Sequence, residues 1–136
     1  MLGRDTTRFF KHWRHVPKDY WRWANFTPKE CACSHCGELL VNEKFMDTLQ
    51  AERTALGHAM TMNSIYRCAI WNAIVGGAPL SMHKYAKAGD QSIRGRDKMR
   101  MLRKAKASGF TGFGGYNTFL HADIGRPRKW GRSWVR

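Results

Sequence analysis

Residues 58–93 read HAMTMNSIYRCAIWNAIVGGAPLSMHKYAKAGDQSI. The first nine alternate enough for a strand, and YRCAIWNAIV (66–75) follows as a short helix closed by Gly76, Gly77 and Pro79. AKAGDQSI (86–93) reads as a second strand, so strand, short helix and strand succeed one another with no long crossover helix between them.

The flanks extend this pattern. NEKFMDTLQAERTALG (42–57) repeats apolar residues at helical spacing at Phe45, Leu49 and Leu56, with Asn42 to cap it and Gly57 to end it. NFTPKE (25–30) predicts a turn into a short helix, with Thr27 as N-cap, Pro28 at the first position and Glu30 at the third. RDKMRMLRKAKASG (96–109) is a basic amphipathic helix with Met99 and Leu102 inward and Gly109 as its cap. GFGGY (112–116) and TFLHADI (118–124) read as two short strands joined by a turn. The basic, aromatic start suggests a short helix near 8–15, with Trp13, Trp21 and Trp23 docking on the domain rather than forming an exposed patch. The tail, 126–136, reads as loop or surface wrap. Helices and strands mix without a βαβ rhythm, so the expected fold class is α+β, a small antiparallel sheet flanked by helices.

The 136 residues suit one domain, spanning 1–136, with a basic aromatic extension over 1–20 and a basic tail over 126–136. An apolar fraction of 43% is that of a globular chain. No run of about 18 apolar residues suggests a membrane span. MLGRDTTRFFKHWRHV lacks the apolar core of a signal peptide, so the expected site of synthesis is the cytoplasm. The net charge of +14 favours polyanionic surroundings: nucleic acid, anionic cell wall or membrane lipid. Half of the 24 basic residues lie in 94–136. CACSHC (31–36) and the remote Cys68 leave three states open. They are a structural zinc held by Cys31, Cys33, Cys36, His35 and Cys68 in some combination, one disulfide such as Cys36 to Cys68, and free thiols.

Two stretches carry metal-ligand chemistry. SMHKYAKAGD (81–90) holds His83 and Asp90, and TFLHADI holds His121 and Asp123. Residues two apart on a strand share a face, so His121 and Asp123 can point the same way. If His83, Asp90 and His121 converge, two histidines and a carboxylate leave a fourth position open, which is the donor set of a catalytic zinc. Asp123 is then the candidate proton carrier, and Arg67 offers a fork that fits a substrate carboxylate, with Ser64 and Tyr66 beside it. Each residue alone also fits a purely structural role.

Together the two stretches resemble the zinc D-Ala-D-Ala carboxypeptidase and murein endopeptidase family. SIYRCAIWNAIVGGAPLSMHKYAKAGD (64–90) is similar to its S-G-Y-R-S-P-x-H-N and V-G-G-A-x-x-S-x-H-x-x-G-x-A-x-D motif. FLHADIGRPRKWG (119–131) resembles F-V-H-x-D-x-G-x-x-R-x-W of the short branch, and the likeness runs over about residues 21–131. The resemblance implies a zinc site of His83, Asp90 and His121. It implies Arg67 on the substrate carboxylate, Ser64 and Tyr66 shaping that strand end, and Ser81 just ahead of the first ligand. It also implies a hedgehog-like α+β fold and peptidoglycan as substrate. Where other branches place a base three residues before the third ligand, this chain has Thr118, which leaves Asp123 as the base candidate. Ile65, Ala69, Trp71, Ala86, Gly89, Gln91 and Ser92 depart from the usual pattern; Ile65 and Trp71 are expected to narrow the substrate groove, and Ala86 stands where a positive-φ glycine is common.

The leading expectation is a monomeric, phage-type zinc peptidase that reaches the wall and cuts stem peptides or crosslinks, its cations meeting an anionic envelope. No specific nucleic-acid partner is expected, because no reader motif accompanies the charge. The alternatives are a basic nucleic-acid-binding module and a hedgehog-like pseudoenzyme that keeps the metal without turnover.

Overall fold

The computed structural model describes residues 5–136; residues 1–4 of the N-terminal extension lie outside it. The expected helix near 8–15 is instead strand β1, Thr7–Phe10, followed by a single 3-10 turn, Trp13–His15. The run TRFF combines a β-branched residue with two aromatics, which suits an extended strand better than a helix. Trp23 is buried, and Trp13 and Trp21 pack against the core as expected. Trp23 Nε1 donates to Asp47 at 2.8 Å, which satisfies the one polar atom of a buried indole.

Helix α1, Pro28–Cys31, starts with the expected capping box: Glu30 N–H donates to Thr27 Oγ1 at 3.2 Å and Thr27 N–H to Glu30 Oε1 at 2.7 Å. Strand β2, Leu39–Asn42, pairs antiparallel with β1 to form a two-stranded ribbon. Helix α2, Glu43–Leu56, follows at once, capped by Asn42 Oδ1 on Phe45 N–H at 2.9 Å and ended by left-handed Gly57.

The second sheet carries the site. Its members are β3 (Met62–Ser64), β4 (Ala88–Ser92), β5 (Gly112–Gly115), β6 (Phe119–Asp123) and β7 (Arg128–Gly131), in the order β3-β4-β6-β5-β7. All neighbours are antiparallel except β5 and β7. The fold is thus α+β as expected, with one parallel edge added. The tail is strand rather than loop over β7, and Val135 behind it is fully buried. Helix α3, Ala69–Ile74, lies between β3 and β4, and helix α4, Lys98–Ser108, between β4 and β5.

Helices α2 and α4 cover one sheet face through Phe45, Leu49, Leu102 and Ala105, against Leu120 and Ala122 of β6 and Phe113 of β5. The period of two in β6 therefore sends Leu120 and Ala122 into the core and His121 and Asp123 to the other face. Met99 does not point inward as expected but is 42% exposed. The buried stripe of α4 runs through Met101, Leu102 and Ala105, and at 3.6 residues per turn Met99 sits about 110° from its centre. Ala86 does occupy the left-handed conformation, with φ of 57°.

Candidate metal centre

Register puts the candidate ligands together. Asp90 of β4 lies directly opposite His121 of β6, and a 3-10 turn, Met82–Tyr85, brings His83 beside them. That turn begins with Ser81, whose Oγ accepts from His83 N–H at 3.3 Å. Asp90 Oδ1 is 3.2 Å from His83 Nε2 and 3.1 Å from His121 Nδ1. One ligand atom from each residue lies within 4.8 Å of the other two.

The opposite ring nitrogens fix which atoms are bare. His83 Nδ1 is 2.7 Å from the Ile65 carbonyl, which can only accept, so this nitrogen carries the hydrogen. His121 Nε2 is 2.7 Å from Asp123 Oδ2 and donates to it. In the neutral rings the inner nitrogens are then left as lone pairs, and both face a carboxylate oxygen. Three acceptors converging without a donor form a site for a cation, with each histidine oriented from behind as metal-bound imidazoles are. The residues present therefore fit a zinc ion.

The electrostatics agree. Burial works to raise the Asp90 carboxyl, but the His121 and His83 rings outweigh it and hold it well below the usual carboxylate range. Burial works to lower His121, yet Asp123 and Asp90 raise it above its ordinary value, so this spot attracts positive charge.

Asp123 is fully buried behind His121. Its oxygens accept from Arg128 Nη1 at 2.8 Å, Arg128 Nη2 at 2.7 Å and the Gly125 amide at 2.9 Å. Against the cost of burial, His121, Arg128 and that amide pull its carboxyl down to about 2. Glycines in β5 make this arrangement fit. Gly112 faces Asp123 and Arg128 across the strands, and Gly114 faces His121 and Trp130. A Cβ on Gly114 would lie 2.5 Å from the Trp130 ring, which packs 4.9 Å from His121.

A cleft of about 530 Å3 opens over the ligand atoms, and Arg67 and Ser81 line it with His83, Asp90 and His121. Arg67 Nε is buried and has no partner among the described residues. Its amide is held on the His83 carbonyl at 3.1 Å, which ties the arginine to the first ligand. The structure does not bring Ser64, Tyr66 or Asp123 to this cleft. Ser64 and Tyr66 line a second one, and the Tyr66 hydroxyl donates to Glu38 at 2.7 Å. Ile65 is buried in the core and Trp71 stacks on His35, so neither narrows the groove as expected. Arg128 and Trp130 were not singled out from the sequence, although they fill the R-x-W of the second motif.

A sequence model of the family described as peptidase M15 matches residues 24–123. The chain belongs to the M15 peptidase family. Like other M15 peptidases it is a zinc-dependent metallopeptidase, and His83, Asp90 and His121 form a group able to hold the ion. No curated protein sequence matches this M15 peptidase. Its second motif continues past the matched region into Arg128 and Trp130, which buttress Asp123 and His121 from β7.

Proposed function

We propose that this M15 peptidase hydrolyses peptide bonds in peptidoglycan stem peptides or crosslinks, with His83, Asp90 and His121 as its zinc ligands. The observation that carries the reading is the convergence of three bare acceptor atoms at the floor of a cleft whose wall holds an unpartnered arginine. Bound there, zinc would supply a Lewis acid for the scissile carbonyl and an acidified water.

The chain's own residues do the rest. Arg67 Nε is buried without an acceptor among the described residues, which suits a substrate carboxylate or peptide carbonyl seated beside the ligands. Ser81 holds the turn that presents His83. Asp123 is fully engaged and lies behind His121, so its role in this reading is to hold the His121 proton on Nε2 and keep Nδ1 free, as a positioning residue rather than the base. The basic surface favours a wall rich in anionic polymers, and the expected place of action is the cell envelope.

Digestion of purified peptidoglycan, with products read by mass spectrometry, tests this. Wild type should release new fragments whose masses name the bond. His121→Ala and a chelator-treated sample should release none. Fragments that persist in both would sink the proposal, as would inert wild type with zinc bound.

A further inference from the structure

Away from the cleft, three sulfurs gather from two remote segments. Cys33 and Cys36 lie in the turn after α1, and Cys68 is the N-cap of α3. Their Sγ atoms all lie within 4.8 Å of one another, and none is in a disulfide. Cys33 and Cys68 are buried, whereas Cys36 faces solvent. Cys31, from the same run, is not part of the group; it packs in the main core with residues such as Trp23 and Phe45.

The backbone is shaped around these sulfurs. Cys33 N–H donates to the Glu38 carbonyl at 2.9 Å and Gly37 N–H to the Cys33 carbonyl at 2.9 Å, closing a tight turn. Gly37 holds φ of 78°, and a Cβ there would lie 2.4 Å from the His12 ring, so the turn requires glycine. The turn aims the amides of His35 and Cys36 at the Cys33 sulfur and that of Glu38 at the Cys36 sulfur. The Cys68 amide also faces Cys33, and Trp71 N–H donates to Cys68 Sγ at 3.4 Å. Against burial, these amides hold the Cys33 thiol below its ordinary value. Burial and the two neighbouring sulfurs push Cys36 up to about 11, a crowding that a bound cation would relieve because metal ions bind thiolate.

Spacing agrees with one ion. Tetrahedral zinc with bonds of about 2.3 Å sets its sulfurs roughly 3.8 Å apart. The observed cluster needs only small side-chain adjustment to reach that. Three thiolates with no cation between them would repel, and thiolate donors select soft ions such as zinc over calcium or magnesium.

We infer that Cys33, Cys36 and Cys68 hold a second, structural zinc ion, its fourth position opening to solvent beside Cys36 and His35. The ion would stitch the turn after α1 to the segment that carries Arg67. The two segments already meet there, through Tyr66 N–H on the Cys31 carbonyl at 3.2 Å and the Tyr66 hydroxyl on Glu38. Arg67 precedes a ligand directly, so the clip would fix the residue that lines the cleft.

The test is a metal count on the full chain purified under reducing conditions, with cobalt(II) exchanged for zinc as a spectroscopic probe. Wild type should hold about two zinc ions per chain, and His121→Ala and Cys36→Ser about one each. The near-ultraviolet sulfur-to-cobalt band should persist at full height in His121→Ala and vanish in Cys36→Ser. Cys36 is exposed, so its serine variant should fold; the wild-type and His121→Ala spectra decide the matter without it. Cobalt bound with no sulfur band would overturn the inference. So would a single zinc lost entirely in His121→Ala, or a mass about 2 Da low from a disulfide among the three. Because the readout is sulfur ligation, it stands whether or not peptidoglycan is cut.

Discussion

His121 and Asp123 share a face of β6, but only His121 meets the cleft. What Asp123 contributes depends on its being an ionised acceptor: it takes a hydrogen from His121 Nε2 and two from Arg128. Asn in its place would offer a donor where both neighbours also donate, and would leave the half-buried Arg128 charge without its anionic partner. Asp123→Asn should therefore weaken zinc affinity by about 10–100-fold while the fold survives. Competition with a chelator of known affinity measures this. An unchanged affinity would show that the His121 ring needs no support from behind. The candidate ligands were legible in the sequence through the resemblance of its two motifs to the family, which pointed to His83, Asp90 and His121. The burial of Asp123 was not, because it follows from Arg128 arriving on a strand that the sequence disguised as a basic tail.

Elements decide how rigidly those side chains are held. Strand β5 reads GFGG, and its glycines leave the space that Trp130 and Arg128 occupy from β7. Gly114→Ala would drive a methyl into the Trp130 ring, at a cost of about 1–3 kcal/mol. Denaturant unfolding should show that loss, and zinc content should fall with it as the indole leaves His121. Equal stability would mean that Trp130 moves aside freely.

Between α2 and β4, Glu52 and Gln91 are both buried and joined by Gln91 Nε2 donating to Glu52 Oε1 at 2.7 Å. Among the described residues Glu52 Oε2 and Gln91 Oε1 have no partner, and a proton on Glu52 supplies the donor that this pair lacks. Burial pushes the Glu52 carboxyl up to about 8 from its ordinary 4.5. The folded chain then keeps a proton that the unfolded chain releases between those values. This contribution to stability is full below about pH 4.5 and falls by about 1.4 kcal/mol per pH unit until pH 8, where it levels off. His121, also raised, loses stability in the same direction, so the comparison must be made against Glu52→Gln. Unfolding midpoints at pH 5.5 and pH 8 should diverge more in wild type than in Glu52→Gln. Parallel midpoints would show Glu52 ionised throughout.

At the scale of the whole molecule, the +14 charge acts as a field rather than as a set of contacts. Retention on isolated cell wall should weaken steeply as salt rises from low to physiological strength, since exposed charges are screened over about 8–10 Å. Hydrolysis of a small uncharged peptide should be far less sensitive to salt. If the two respond alike, the cations serve the cleft and not the surface.

Sequence by itself determined helices α1, α2 and α4, the α+β class and the candidate group His83, Asp90 and His121. Caps such as Thr27, Asn42 and Gly57 act within one turn of chain, whereas His121 reaches Asp90 only through the pairing of β4 with β6. Tertiary structure alone decided what depends on pairing partners. Strands β1, β2 and β7 are too short to show a period, and they exist because each finds a neighbour to complete its hydrogen bonds. The same holds for Cys68, which joins Cys33 and Cys36 only once α3 packs against the turn after α1. Proximity between distant segments is a property of the packed chain, and no window of sequence contains it.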